Sequence, residues 1–500
     1  MLSASSEKTF FNLNKVFIYA IFLGLPLVIN NGYFDISATK SLYFLLLSIT
    51  YCLVSFIVYL IYFFKKIKCP IKFVTIDAFL ILYAVANIVS ACFSKYSKGV
   101  WIGTESRLQG ALIVLLYILV YFLVSNGAKD IIKNGKLIRL FALVFIVVTS
   151  LAILHSLNIS ITGIFDHIDI SQRHLFISTI GNMNFFSSFV CLSLPIFVIS
   201  FISSENQDQS VVLGAVLVFC GIAAVLCCSD SFVLGFLAFL AVAPFFFMGD
   251  KKLFIRFWIA NIIMLLSAAT FCYIYKSLPK HYYEPSELLC FLLSPLVLGT
   301  ITILLTAVCI LVHFFPKFLR AFRFIYLGII LASAITVIAL FIYKNREYDP
   351  NAWSIWIFND NWGSFRGKIY RMCFEFLGEF TLKEWLVGIG PESLQYLFFE
   401  HGINYFDQAH CEYLQVLLSS GIFGLITYLG SIVSAIVLVV RKLRHNMIAL
   451  AFFFGLITYW AQAMVNIAQS FTTPFVYLYL AIIVCEYKQL SNKFSKEKTK

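Results

Sequence analysis

The chain has 500 residues, a mean hydropathy of +0.90 and only 12% charged residues, where a soluble protein carries about 25%. Its 37 Lys+Arg against 25 Asp+Glu leave a net charge of +12, yet no basic stripe interleaves with exposed aromatics, so nucleic acid is not the expected partner. The apolar residues come in runs of about 17 to 28, long enough to cross ~30 Å of hydrocarbon at ~1.5 Å per residue, and short alternating strands are missing, which excludes a β-barrel and predicts an all-α, polytopic transmembrane helical bundle.

About fourteen spans are expected, centred near residues 23, 53, 84, 117, 147, 192, 219, 239, 264, 301, 333, 427, 457 and 479. The first run, Val16 to Ile29, resembles a signal-peptide core, but "NNGYFD" follows with no small-residue cleavage site, so it reads as a retained first span. Four regions result: an N-terminal bundle of about eleven spans (1–343), one long loop (344–411), about three C-terminal spans (412–487) and a basic tail (488–500). With the N-terminus in the cytoplasm, 24 Lys/Arg fall inside and 13 outside. The positive-inside rule then predicts both termini in the cytoplasm and the long loop outside. The positive charge is thus mainly a topology signal, with an attraction to anionic membrane lipid. Most of the thirteen cysteines lie in apolar runs, where Cys packs as a small hydrophobe. They show no metal-ligand spacing, and neither metal nor cofactor is expected. Cys373 and Cys411 fall outside the spans, and spacing leaves their pairing open.

The polar chemistry concentrates in the long loop, which carries Trp353, Trp356 and Trp362 and is aromatic enough to be ordered. In "SFRGKIYRMCFEFLGEF" (364–380), Ile369, Met372, Cys373, Phe376, Leu377 and Phe380 mark one face of a helix. Arg366 lies beside that stripe. Arg371 lies ~140° round from it, with Glu375 four residues on to neutralise it. Arg366 therefore suits a phosphate or diphosphate through its bidentate fork, or else reaches to lipid headgroups or pairs with Asp360. "GIGPES" (388–393) reads as a tight turn joining two loop helices. "DQAHCEYLQVLLSSG" (407–421) crowds Asp407, Gln408, His410, Glu412 and Gln415 ahead of an apolar run. His410 is either an interfacial polar residue or a base able to move a proton near neutral pH. Asp407 is placed to orient or charge-balance its ring, and Glu412 to act as a second acid or base.

Taken together, "FDQAHCEYLQ" followed by "SSGIFGLITYL", preceded by "GSFRGKIYRM…WLVGIGPESL", resembles the signature of the O-antigen ligase / O-antigen polymerase family, with its Ala-His-Asn-x-x-Leu-Gln run, Arg-bearing loop helix and Gly-x-Gly-Pro turn. "GTESRLQGALIVLLY" (103–117) and "STIGNMNFFSSFVCLSLP" (178–195) resemble two upstream pieces, so the likeness touches residues 100 to 430. The resemblance implies a transferase that moves a glycan from a polyprenyl (undecaprenyl) diphosphate carrier to a glycan, lipid or protein acceptor at the outer face of the bacterial cytoplasmic (inner) membrane, without metal or nucleotide sugar. Carried over by motif, Arg366 binds the diphosphate and His410 activates the acceptor hydroxyl. Arg107, Arg173 and Arg371 are further candidates for diphosphate binding, and Asp407 and Glu412 for support. Cys411 departs from the family's Asn, and "CSDSFVLG" (228–235) lacks the Ser-Arg-Gly of the corresponding span. The competing class is a lipid-linked oligosaccharide flippase, which should carry charges within its spans, two related halves and short outer loops.

Overall fold

The computed structural model describes residues 4–33, 36–66, 72–104, 107–127, 135–161, 163–165, 168–278, 282–346, 349–350 and 355–498. Trp353, Cys69, most of the basic stretch 65–72, Lys129, Lys133 and residues 105–106 lie outside them. The chain is 76% helical. The strands among the described residues form one short antiparallel ladder, with Phe176 opposite Asn182 and Ile177 opposite Gly181. Each of the fourteen expected centres falls on a helix. Eleven of these helices are long and apolar enough to cross a membrane, which makes this a multi-pass membrane protein. The other three centres sit on Ala4–Gly24, Ala111–Gly127 and Thr473–Lys498. The first opens on the polar stretch Ser5 to Thr9, the second has 17 residues, and the third turns polar from Glu486.

The core is built by pairs of helices distant in sequence. Glu412–Leu438 packs along Thr75–Phe93, Met447–Gln462 along Met183–Ser203, Lys251–Ser277 along Gln207–Leu226, and Thr473–Lys498 along Ala111–Gly127. Pro295–Phe314 and Phe318–Lys344 bury little of their apolar lengths, the first packing on one side against Lys251–Ser277, as helices that face lipid would.

The long loop forms a small second core on the end of this bundle. Ile369, Met372, Cys373, Phe376 and Leu377 are buried as the helical stripe requires, and they pack with Ile389 from the turn that follows the helix Leu382–Val387 and with Leu394 and Phe398 from the helix Leu394–Glu400. That turn is "GIGPES". Its Ile389 and Gly390 amides donate to the carbonyls of Leu418 and Ser419 at 3.0 and 2.9 Å. Those carbonyls are free because the Glu412–Leu438 helix is broken at Gly421, with φ +66° and ψ −171°. Ser90 Oγ also donates to Ser419 O at 2.5 Å, and Ser420 Oγ to Asn87 Oδ1 at 3.1 Å. "SSG" is thus a break that exposes carbonyls, and the loop turn and the Thr75–Phe93 helix fill it. A Cβ on Gly421 would meet the Leu386 carbonyl as well as an unfavourable φ. Gly421→Ala is therefore expected to cost about 1–3 kcal/mol from backbone strain alone. A thermal melt in detergent with an unchanged midpoint would contradict this packing.

Candidate functional site

Seven helix ends and turns converge at one end of the bundle around a cleft of about 740 Å3, within the usual range of ~300–1,000 Å3 for small-ligand sites. Asn184 comes from the start of Met183–Ser203. Ser229 to Ser231 open Asp230–Val242, and Tyr282 to Glu284 precede Glu287–Leu292. Trp362 to Arg366 open the loop helix, His410 precedes Glu412–Leu438, and Val465 follows Met447–Gln462. His174, from the 3-10 turn Ile170–Leu175, completes the rim.

Arg366 and His410 line this one cleft. The periodicity places helix from Ser364, but Gly363, Ser364 and Phe365 are all left-handed, with φ of 61°, 59° and 69°. The regular helix therefore begins at Arg366, whose guanidinium sits at the cleft rather than along a continuous helix face. Its Nε donates to Val465 O at 2.9 Å and one terminal nitrogen to Gly363 O at 2.5 Å. No carboxylate of a described residue pairs with it. Burial lowers its pKa, and Tyr370 and Asp230 oppose the shift. Guanidinium remains charged regardless, so the cleft holds a half-buried cation fixed by two carbonyls and ion-paired with none of the described residues.

His410 is also left-handed, at φ +49°, a conformation that costs energy outside Gly and clusters at functional sites. Tyr370 Oη holds the turn by donating to His410 O at 3.0 Å. The His410 Nδ1 is buried without a hydrogen-bond partner among the described residues. Burial pushes its pKa down to about 4, and the charges of Arg366 and Arg107 push the same way while Asp407 opposes them. The imidazole is therefore neutral near pH 7 and able to accept a proton.

The other predicted residues lie elsewhere. Asp407 does not bond the imidazole. Its Oδ2 accepts from Arg107 Nε at 2.9 Å and from a terminal Arg107 nitrogen at 2.6 Å, so Asp407 reaches His410 only through its charge and Arg107 is already paired. Arg371 is bound at the surface by Asp360 at 2.8 Å and Glu375 at 2.9 Å, outside the cleft. This gives Asp360 to Arg371 rather than to Arg366. Arg173 lies over the Phe165 ring at 5.6 Å and donates to Ile168 O, and it does not line the cleft. Glu412 turns the opposite way. It accepts from Tyr428 at 2.6 Å and Tyr459 at 2.9 Å, and with Glu392, Gln408 and Gln415 lines a separate internal cavity of about 80 Å3. Cys373 and Cys411 are both free thiols.

Cys411 is the N-cap of Glu412–Leu438 and makes no side-chain capping hydrogen bond. The Tyr413 and Leu414 amides face its thiol, a weak acceptor, and an Asn amide oxygen would accept from them more strongly. Cys411→Asn is expected to stabilise the fold by about 1 kcal/mol, seen as a raised melting midpoint; a lowered one would show that the thiol's packing outweighs the missing cap.

Residues not singled out from sequence also line the cleft: Asp230, Glu284, Tyr282 and Tyr283. Their available signals were the polar interruption "CCSDS" between two apolar runs and the polar cluster in the short loop 276–288.

Fold and cleft together define a multi-pass helical membrane protein with one amphipathic, cation-bearing site at one end. No protein-family model matches the chain, and no curated protein matches it.

Proposed function

We propose that the chain is an O-antigen ligase-like glycosyltransferase of about fourteen spans with both termini cytoplasmic, set in the bacterial cytoplasmic membrane with its cleft on the outer face. It moves a glycan from a polyprenyl diphosphate carrier to an acceptor hydroxyl. One observation carries this reading. The cleft brings an unpaired guanidinium and a neutral imidazole together, the two groups that diphosphate departure and hydroxyl attack each require.

In this reading Arg366 holds the diphosphate. The anomeric carbon–oxygen bond to the carrier breaks, its electron pair passes to the diphosphate, and the guanidinium stabilises the growing charge. The acceptor oxygen forms the new bond from the opposite side, and His410 takes its proton. Direct attack without an enzyme nucleophile inverts the anomeric centre.

The depressed His410 pKa gives a signed expectation. A base must be unprotonated, so activity is present above its pKa and lost as pH falls through it. The acid limb of kcat/KM, which reports the free protein, should lie near pH 4. In the donor complex the diphosphate offsets the Arg366 charge, so the limb of kcat should move to higher pH. A kcat limb at lower pH than that of kcat/KM would contradict the pairing of the two groups.

Purified protein in proteoliposomes, supplied with polyprenyl-diphosphate glycan, acceptor and EDTA, tests the reading. Transfer with release of polyprenyl diphosphate is expected. Translocation of intact donor without release would instead identify a flippase, and loss of transfer in the chelator would overturn the metal-independent mechanism.

A further inference from the structure

Arg366 and His410 belong to different stretches of the long loop, yet one short element touches the supports of both. It is the 3-10 turn Ala463–Val465, which follows the helix Met447–Gln462. Val465 O accepts from Arg366 Nε at 2.9 Å. The neighbouring Met464 O lies 3.3 Å from Tyr370 Oη, and the same hydroxyl lies 3.0 Å from His410 O. A phenol has one proton, so Tyr370 shares it between the two carbonyls and ties the His410 turn to the 3-10 turn. Tyr413 adds a second tie by donating to Trp460 O at 2.6 Å.

The turn is itself clamped from behind. Gln462 precedes it and Asn466 follows it, and their side-chain nitrogens lie 3.0 and 3.4 Å from Ser188 Oγ. Gln469 Nε2 reaches the same oxygen at 3.3 Å. All four residues are buried. Asn466 Nδ2 also donates to Asn184 O at 3.3 Å, and its Oδ1 accepts from Ile467 N at 2.9 Å. Asn184 in turn lines the cleft and accepts from Ser229 Oγ at 3.2 Å. Such a cluster is an expensive way to join helices. Three amides approach a hydroxyl with two lone pairs, and Gln462 Oε1 is buried with no hydrogen-bond partner among the described residues. Apolar side chains would pack the same helices without that desolvation penalty, whereas a polar network fixes the direction of the backbone it holds.

We propose that the turn Ala463–Val465, clamped on Ser188 by Gln462, Asn466 and Gln469, is the positioning element of the site. Two consecutive carbonyls carry the effect. Val465 O aims the Arg366 guanidinium, and Met464 O, through Tyr370, sets the His410 turn beside it. The inference rests on the transferase reading for what the two groups act upon. Diphosphate departure and hydroxyl attack occur at one carbon, so the cation and the base must hold a fixed separation. A misplacement of about 1 Å costs on the order of 10²-fold in rate. Asn466 and Tyr370 act through Arg366 and His410 rather than on the substrate.

The test reads binding and transfer in the full-length protein, with farnesyl diphosphate as the binding probe and polyprenyl-diphosphate glycan as the donor. Asn466→Ala is expected to weaken farnesyl diphosphate binding about fivefold and to lower kcat about tenfold. In an Arg366→Ala background the same change should leave the residual binding unaltered, because groups acting as one unit are not additive. Tyr370→Phe keeps the ring and removes only the shared proton. It should lower kcat about fivefold, with binding and melting midpoint close to the wild type. If Asn466→Ala does not fold, Tyr370→Phe decides alone, and an unchanged kcat overturns the proposal. Equal weakening by Asn466→Ala in both backgrounds, or a lowered melting midpoint with wild-type binding and kcat, would show the turn to be structural only. Coupled loss of binding in a protein whose wild type transfers no glycan would keep the positioning role and sink the transferase reading instead. Absence of farnesyl diphosphate binding by the wild type would overturn both.

Discussion

His410→Ala is expected to lower the rate of glycan transfer by about 10²–10⁴-fold, the usual worth of a positioned general base. The loss should fall on kcat with little change in the donor KM, because in the proposed mechanism the imidazole acts on the acceptor proton in the transition state rather than on the bound carrier. A folding artefact is the main confounder, since position 410 sits at φ +49° and alanine tolerates the left-handed region poorly. His410→Asn removes the base while keeping a residue that adopts this conformation readily, so the two variants should be equally inactive. Activity in the asparagine variant near the wild-type level would show that the alanine defect is conformational.

Arg366→Ala is expected to cost about 10²–10³-fold, the typical loss on removing one preorganised group aimed at developing charge. Unlike His410→Ala it should also raise the donor KM, because the diphosphate is charged before the bond breaks. Arg366→Lys should rescue little, since a point charge cannot reproduce a fork held by the Val465 and Gly363 carbonyls. Arg371 is the matched control five residues away. With Asp360 and Glu375 bound to it at the surface, Arg371→Ala should lose only a solvent-exposed ion-pair network and leave transfer close to normal.

Much of the architecture is legible in the sequence because run length against bilayer thickness is a strong physical constraint. All fourteen expected centres fall on helices, and the loop-helix stripe from Ile369 to Leu377 is buried as its period requires. Periodicity fails where the backbone is not helical. Residues 407 to 411 precede the helix and His410 is left-handed, so angular arithmetic could not say which way each polar side chain turns. The crowded stretch in fact divides. Asp407 goes to Arg107, Gln408 to Glu392 at 3.1 Å, His410 to the cleft, Glu412 to two tyrosines inside the bundle, and Gln415 back to the Ala409 amide at 2.9 Å. The Asp407–Arg107 pair joins residues 300 positions apart, and no local spacing announces such a contact. Asp230 and Glu284 are not legible as site residues for the same reason, since each joins the cleft from a separate segment of the chain.

The central claim is that Arg366 and His410 act on one lipid-linked donor in one cleft. Single-turnover transfer by purified protein tests it most directly, with polyprenyl diphosphate and glycosylated acceptor both quantified for the wild type, Arg366→Ala, His410→Asn and Arg371→Ala. The account predicts equimolar carrier and product from the wild type and Arg371→Ala, and neither from the other two folded variants. Transfer at the wild-type rate by folded Arg366→Ala and His410→Asn would contradict it.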